Sequence, residues 1–164
     1  MGFYLDIYNS TKAIEKKKLD KIMSLSEKAQ NNNIPLTVEK AQYILDSSNS
    51  VLKDCGRIEF GDSVAFKITD CFLSSANVSK YDFEKVIEGL IEVFYLIKNE
   101  INEKLTDDEI IEAMHTVFEK GACGSTVHLA HWAEREIYSI HNGAETLNTD
   151  FNELILKGEE ATDE

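Results

Sequence analysis

The amino-acid sequence predicts an all-α protein, a single-domain bundle of about six or seven helices. One proline and eight glycines occur in 164 residues, which leaves little material for the turns of a β-rich fold. Apolar residues recur at spacings of three and four along several segments, the pattern of amphipathic helices. A hydrophobic fraction of 43% and a charged fraction of 29% are typical of a globular domain with its own core.

The N-terminal third of the chain predicts two helices. Residues 2–8 are unusually apolar for a chain terminus and are expected to pack against another part of the protein. A lysine-rich helix is expected to follow over about residues 11–31. Thr37 is a plausible N-cap for the second helix, and Gly56 stands where a left-handed residue commonly ends a helix.

The middle of the chain predicts a loop and two further helices. Residues 56–61 are bracketed by glycines and are expected to form a short loop, and a third helix is expected over about residues 62–75. Ser79 can cap a fourth helix, whose apolar residues alternate spacings of four and three. These residues are Phe83, Ile87, Leu90, Phe94, Ile97 and Ile101. Their spacing predicts a long central helix that packs lengthwise against its neighbours.

The C-terminal third predicts two helices and a tail. Thr106 and Glu109 have the spacing of a capping box, and the helix that they open is expected to end at Gly121. A sixth helix is expected from Ser125 to about residue 142. We expect one domain over residues 1–158 and a frayed acidic tail at residues 159–164.

Composition excludes several classes of function. A formal net charge of −13 repels phosphate backbones, so we expect no nucleic-acid partner. No apolar run approaches the roughly 20 residues that span a bilayer, and no segment has the order of a signal peptide. Three scattered cysteines without a CxxC pair indicate reduced thiols. We therefore expect a cytoplasmic, acidic protein with no membrane association.

The predicted sixth helix carries the first candidate site. On a helical wheel, its buried side is defined by Ala130, Ala133, Ile137 and Ile140. The opposite side carries His128, His131, Trp132 and Arg135. An exposed tryptophan beside an arginine is typical of the centre of a protein interface. These four residues are our candidate partner-binding site, and the alternative is that the first helix or residues 2–8 cover Trp132.

The same region offers two weaker chemical interpretations. His128 and His131 are spaced so that two rings of one helix can point the same way, as a metal pair requires. The pair is expected to face away from the core without converging ligands, so we expect no metal. Cys123 precedes a helix N-terminus, but its neighbours are also those of a tight connection between helices. We expect no catalytic residue and no cofactor.

The loop at residues 56–61 carries the second candidate site. Arg57 is one of two arginines in the chain, and Glu59 lies two residues further on. Loops carry function more often than cores do, so Arg57 and Glu59 are candidate ligand-binding residues. The alternative is a local ion pair that fixes the turn.

Three stretches of the sequence carry a family resemblance. They are residues 36–61, residues 94–100, and residues 106–125 with their capping box and Cys123-Gly124-Ser125; the most specific motif runs from Gly56-Arg57 to Gly61. The chain resembles an uncharacterised family of small bacterial proteins, a domain of unknown function, over about residues 34–142. The resemblance implies a bacterial cytosolic protein, and it supplies neither an activity nor site residues.

Two functional hypotheses remain open. The first is a non-enzymatic helical module that self-associates or binds a protein partner. The second is a small-ligand-binding protein or enzyme with a pocket near residues 56–61. A concave apolar pocket with converging polar groups would favour the second.

Overall fold

A computed structural model describes residues 2–59 and 63–150 of the protein. Over these residues it contains seven helices and no strand, so the prediction of an all-α fold is confirmed. The helices are α1 (Gly2–Met23), α2 (Ser26–Asn31), α3 (Val38–Cys55), α4 (Val64–Phe72), α5 (Phe83–Ile101), α6 (Asp107–Lys120) and α7 (Thr126–His141). The expected frayed tail at residues 159–164 lies outside the described residues, as do the side chains of residues 2–6 and 8. No described helix combines the length and the apolar character needed to cross a membrane.

The chain divides into two compact units, Met1–Ile91 and Glu92–Glu164. In the first unit, α1, α3 and α4 pack against one another. Their most deeply buried side chains include Ile22, Ile44, Leu45, Ile68 and Phe72. The core of this unit therefore lies among these three helices.

The first helix differs from its predicted form at both ends. It begins at Gly2 rather than near residue 11, because no proline or glycine between Phe3 and Ile34 stops a helix from extending towards the N-terminus. It ends at Met23, and α2 begins at Ser26. The hydroxyls of Ser24 and Ser26 donate to carbonyl groups three residues earlier, both at 2.5 Å. Such side-chain bonds offer the backbone an alternative to the helix and account for the break.

The predicted ends of α3 are confirmed by its capping contacts. Thr37 Oγ1 accepts a hydrogen bond from the Lys40 N–H at 3.2 Å. Gly56 adopts a left-handed conformation, with φ of 64°. The N–H groups of Gly56 and Arg57 donate to the carbonyls of Lys53 and Leu52, which are left without partners within the helix.

The long helix α5 is buried along the predicted positions. All six residues that define its spacing are buried, from Phe83 to Ile101. Lys98, in its last turn, is also buried. The helix runs through the boundary between the two compact units, because its first residues precede Glu92.

In the second unit, α6 packs against α7. The capping box that opens α6 is present: the Thr106 hydroxyl accepts from the Glu109 N–H at 3.3 Å, and the Glu109 carboxylate accepts from the Thr106 N–H at 2.7 Å. Ser125 caps α7 by accepting from the His128 N–H at 3.2 Å. Both predicted helix starts are therefore confirmed.

Candidate partner-binding groove

The buried face of α7 is turned relative to the predicted one. The buried residues are Leu129, Trp132, Ala133, Glu136, Ile137 and Ile140. The wheel omitted Leu129, whose large side chain shifts the buried arc towards Trp132. The prediction that Trp132 is exposed is wrong, because only 1% of its surface is accessible. Ala130, predicted to be buried, is half-buried.

A groove of about 970 Å³ runs beside α7. Its α6 side is formed by Val117 and the two residues that follow the helix, Gly121 and Ala122. The α7 side is formed by His128, His131, Trp132, Glu134, Arg135, Tyr138 and Ser139. We call this feature the α6–α7 groove. It brings together all four residues of the first candidate site.

The groove combines an apolar floor with polar walls. Val117 and Ala122 are buried, and the ring of Trp132 also lines the groove from a buried position. His128, His131 and Arg135 are exposed, and they offer imidazole and guanidinium N–H groups as hydrogen-bond donors. Tyr138 is 71% exposed at the rim. Such a surface can take apolar side chains and carboxylates together.

Trp132 and Glu136 hold the main chain of one residue beyond α7. The indole N–H of Trp132 donates to the Asn148 carbonyl at 2.9 Å. The Glu136 carboxylate accepts from the Asn148 N–H at 2.7 Å, and Glu136 is only 4% exposed. The two side chains stand one helical turn apart, so both can reach the same residue. We call this arrangement the Asn148 clamp.

The clamp explains why Trp132 is buried. The sequence analysis offered the first helix or residues 2–8 as the cover of Trp132. Neither of them is the segment that the structure places against the indole N–H, which lies around Asn148. Glu136 was missed by the sequence analysis as well. Its signal is visible in the sequence, since a carboxylate interrupts the apolar arc that Leu129, Ala133 and Ile140 define.

Neither chemical interpretation of this region gains support from the geometry. Among the residues that the structure describes, no group of three or more His, Cys, Asp or Glu side chains could hold a metal ion. Cys123 is exposed in the turn between α6 and α7, with a positive φ of 47°. The turn is a short connection between two helices.

The second candidate site has a local structural role. Glu59 has a side chain only 7% exposed, and its carboxylate accepts from the Val64 N–H at 3.1 Å, at the start of α4. The other carboxylate oxygen lies 3.5 Å from Lys18 Nζ. Glu59 therefore ties α1 to the start of α4. Arg57 is half-buried, and the ligand-binding role of these two residues stays a prediction.

A buried cation at the end of α5 was also missed by the sequence analysis. Lys98 Nζ donates to Glu103 at 2.8 Å and lies 2.9 Å from an Asp107 oxygen, in the first turn of α6. Burial by itself lowers the pKa of Lys98, but the hydrogen bonds to Glu103 and Asp107 raise it by more. The net pKa lies above the ordinary value. Lys98 therefore joins the end of α5 to the start of α6 as a charged ammonium.

The described residues form a small all-α protein, and comparison with known families identifies the family to which it belongs. The chain belongs to the family described as "Family of unknown function (DUF6323)", whose model matches residues 21–146. The match begins earlier than the expected residue 34 and ends close to the expected residue 142. No curated protein and no solved structure matches the chain.

Proposed function

We propose that this protein is a non-enzymatic helical module that binds a protein partner through the α6–α7 groove. The observation that carries the proposal is the groove itself, where the exposed residues His128, His131 and Arg135 stand beside an apolar floor that includes Trp132. The proposed partner presents a segment with apolar and acidic side chains.

The chemistry of the groove supports this class of partner. Apolar side chains of a partner would lie over the groove floor and contact the exposed ring of Tyr138 at its rim. Carboxylates would accept hydrogen bonds from Arg135 and the two histidines, and hydrogen bonds to charged groups are stronger than neutral ones. Glu134 is the one acid among the lining residues that we describe, in a chain with a net charge of −13.

Cellular location forms part of the same proposal. We propose that the protein acts in the cytoplasm of a bacterial cell. The acidic composition, the three scattered cysteines without a CxxC pair and the resemblance to small bacterial proteins support this location.

Site-specific photo-crosslinking tests the groove as a binding surface. A photoreactive phenylalanine analogue at Tyr138, at the rim of the groove, is expected to capture a partner in cells. The same analogue at Tyr81, which is 93% exposed and remote in sequence, serves as the control. The captured protein is then purified, and its affinity is measured for the wild-type chain and for Arg135→Glu.

The expected result is capture at position 138 alone and a loss of affinity of at least about tenfold for Arg135→Glu, the loss of one charge-assisted contact. Equal capture at both positions, or equal affinity for both chains, would contradict the proposal. Capture of a second copy of this chain would show self-association in place of binding to a different protein.

A further inference from the structure

We propose that residues 151–164 of the chain occupy the α6–α7 groove in the same molecule and compete there with the partner. The inference rests on the proposed function, because it names how that binding site is regulated. It starts from the Asn148 clamp and from the direction in which the clamp leads the chain.

The described contacts after α7 give that direction. The Ala144 N–H donates to the Ser139 carbonyl at 3.0 Å. Four residues later, Asn148 is held by Glu136 and Trp132. The contacts on α7 therefore move from Ser139 to Glu136 and Trp132 as the chain advances. Residues 144–148 run antiparallel to α7, towards the end of the helix that carries His128 and His131.

The position of Trp132 links this path to the groove. Its indole N–H belongs to the clamp, and its ring lines the groove. The chain that follows Asn148 consequently starts beside the groove. From Ser139 to His128 the groove follows roughly 17 Å of helix, at about 1.5 Å per residue. Residues 151–164 can span roughly 45 Å when extended, so their length is sufficient.

The sequence of residues 151–164 matches the chemistry that the groove accepts. Its apolar residues are Phe151, Leu154, Ile155, Leu156 and Ala161. Its acids are Glu153, Glu159, Glu160, Asp163 and Glu164, against Lys157 as the one basic residue. Apolar side chains suit the floor formed by Val117 and Ala122, and carboxylates suit the donors of the walls. The segment thus offers the same kinds of group as the proposed partner.

Tethering gives this segment an advantage over a free partner. A segment attached at Asp150 is present at an effective concentration in the millimolar range. A partner at micromolar concentration must therefore bind substantially more tightly to displace it. The groove is then a regulated site, in which the chain's own C-terminal segment sets the threshold for binding.

Hydrogen–deuterium exchange of the full-length chain tests the inference without any partner. We expect the amides of residues 151–156 to exchange at least about tenfold more slowly than their intrinsic rates. The double variant His131→Glu/Arg135→Glu should remove this protection by charge repulsion. The variant Lys80→Glu, a charge reversal at an exposed loop residue outside the groove, should leave the protection unchanged. Protection of α5 amides reports that each variant is folded.

A second variant leaves all the described residues, 2–59 and 63–150, unaltered. Leu154→Glu/Ile155→Glu changes only the proposed occupant, and it should abolish the protection while raising the affinity for the captured partner. Exchange of residues 151–156 at intrinsic rates in the wild-type chain would overturn the inference, and so would protection that survives both double variants. Protection that both double variants remove, without any partner captured at Tyr138, would support the inference and overturn the proposed function.

Discussion

At the scale of single residues, Trp132 and Glu136 show how one pair of side chains can fix an irregular segment. Each has a polar atom that burial would leave unpaired, and the two atoms find their partners on a single residue, Asn148. A buried polar group without a hydrogen bond costs about 1–3 kcal/mol. The two hydrogen bonds therefore stabilise α7, and they also order the irregular segment around Asn148.

Substitution of Trp132 should destabilise the protein in two steps. Trp132→Phe leaves the Asn148 carbonyl without the indole N–H and should cost about 1–2 kcal/mol. Trp132→Ala also creates a cavity and should cost about 3–5 kcal/mol. Urea denaturation followed by far-UV circular dichroism measures both. His131→Ala, at the neighbouring exposed position, should change the free energy of unfolding by less than about 0.5 kcal/mol. A Trp132→Ala midpoint equal to that of the wild-type chain would mean that the indole is not buried.

Lys98 should make stability depend on alkaline pH. Its pKa is raised in the folded protein, so the contribution of the ammonium is complete below its ordinary value of 10.5 and is lost as the pH rises through the folded value. Lys98→Met should lower the denaturation midpoint at pH 7, and the difference from the wild-type chain should shrink above about pH 10.5. Lys104→Met, at an exposed position of the loop between α5 and α6, is the control. A difference that stays constant up to pH 12 would contradict this role.

Part of the α6–α7 groove could be predicted from the sequence. Helical spacing placed His128, His131 and Arg135 on one exposed side, where the structure also has them. It could not place Trp132, because the residue lies at the edge of the buried arc and its partner comes from a segment without periodicity. Asn148 is recognised through main-chain atoms, which leave no mark in the sequence.

At the scale of helices, several ends are governed by short-range contacts that the sequence predicts. The expected cap Ser79 is an exception, because α5 begins only at Phe83. The caps of α3, α6 and α7 involve residues three positions apart, and all three were predicted. The extension of α1 to Gly2 was not predicted, because nothing in its sequence marks a start and the expected start was placed after the apolar segment. Propensity alone extends a helix until a cap, a proline or a tertiary contact stops it.

The capping box of α6 should be measurable through stability. Thr106→Ala removes the acceptor of the Glu109 N–H and should cost about 1 kcal/mol. Glu112→Gln, at an exposed position in the following turn, should have little effect. Equal losses in the two variants would show that the cap contact contributes nothing specific.

The capping box should also make the stability of the protein depend on pH in the acidic range. The hydrogen bond from the Thr106 backbone, and then that from its hydroxyl, lower the pKa of Glu109. The contribution of the Glu109 carboxylate is therefore complete above its ordinary value of 4.5 and is lost as the pH falls through the folded value. Denaturation midpoints of the wild-type chain and Glu109→Gln should converge between pH 5 and pH 2. A difference that persists at pH 2 would exclude ionisation of Glu109 as its cause.

At the scale of the whole molecule, the two compact units share one helix. The first residues of α5 belong to Met1–Ile91 and its last residues belong to Glu92–Glu164. An unbroken helix transmits the loss of structure from one segment to the next, because its hydrogen bonds form cooperatively. The expectation of one domain over residues 1–158 therefore stays a prediction with a physical basis.

Unfolding followed by two probes tests this prediction. Trp132 is the one tryptophan of the chain and reports on the second unit, whereas far-UV circular dichroism reports on all helices. For one cooperative domain, the two urea midpoints should coincide, and so should the fitted slopes. A tryptophan transition separated from the dichroism transition would show two units that unfold independently.

The Asn148 clamp has a consequence for how this family varies in sequence. Its two hydrogen bonds use the N–H and the carbonyl of Asn148, groups that every residue except proline possesses. Replacement of Asn148 by most other amino acids retains both bonds, whereas proline removes one of them. The side chain makes a separate contact, because Asn148 Oδ1 accepts a hydrogen bond from the Asp150 N–H at 2.8 Å. Most replacements therefore keep the clamp, whereas only aspartate or another short acceptor also keeps the bond to Asp150. We therefore expect family members to keep a tryptophan and a carboxylate one helical turn apart, and a joint exchange of these two residues would mark members that hold the segment differently.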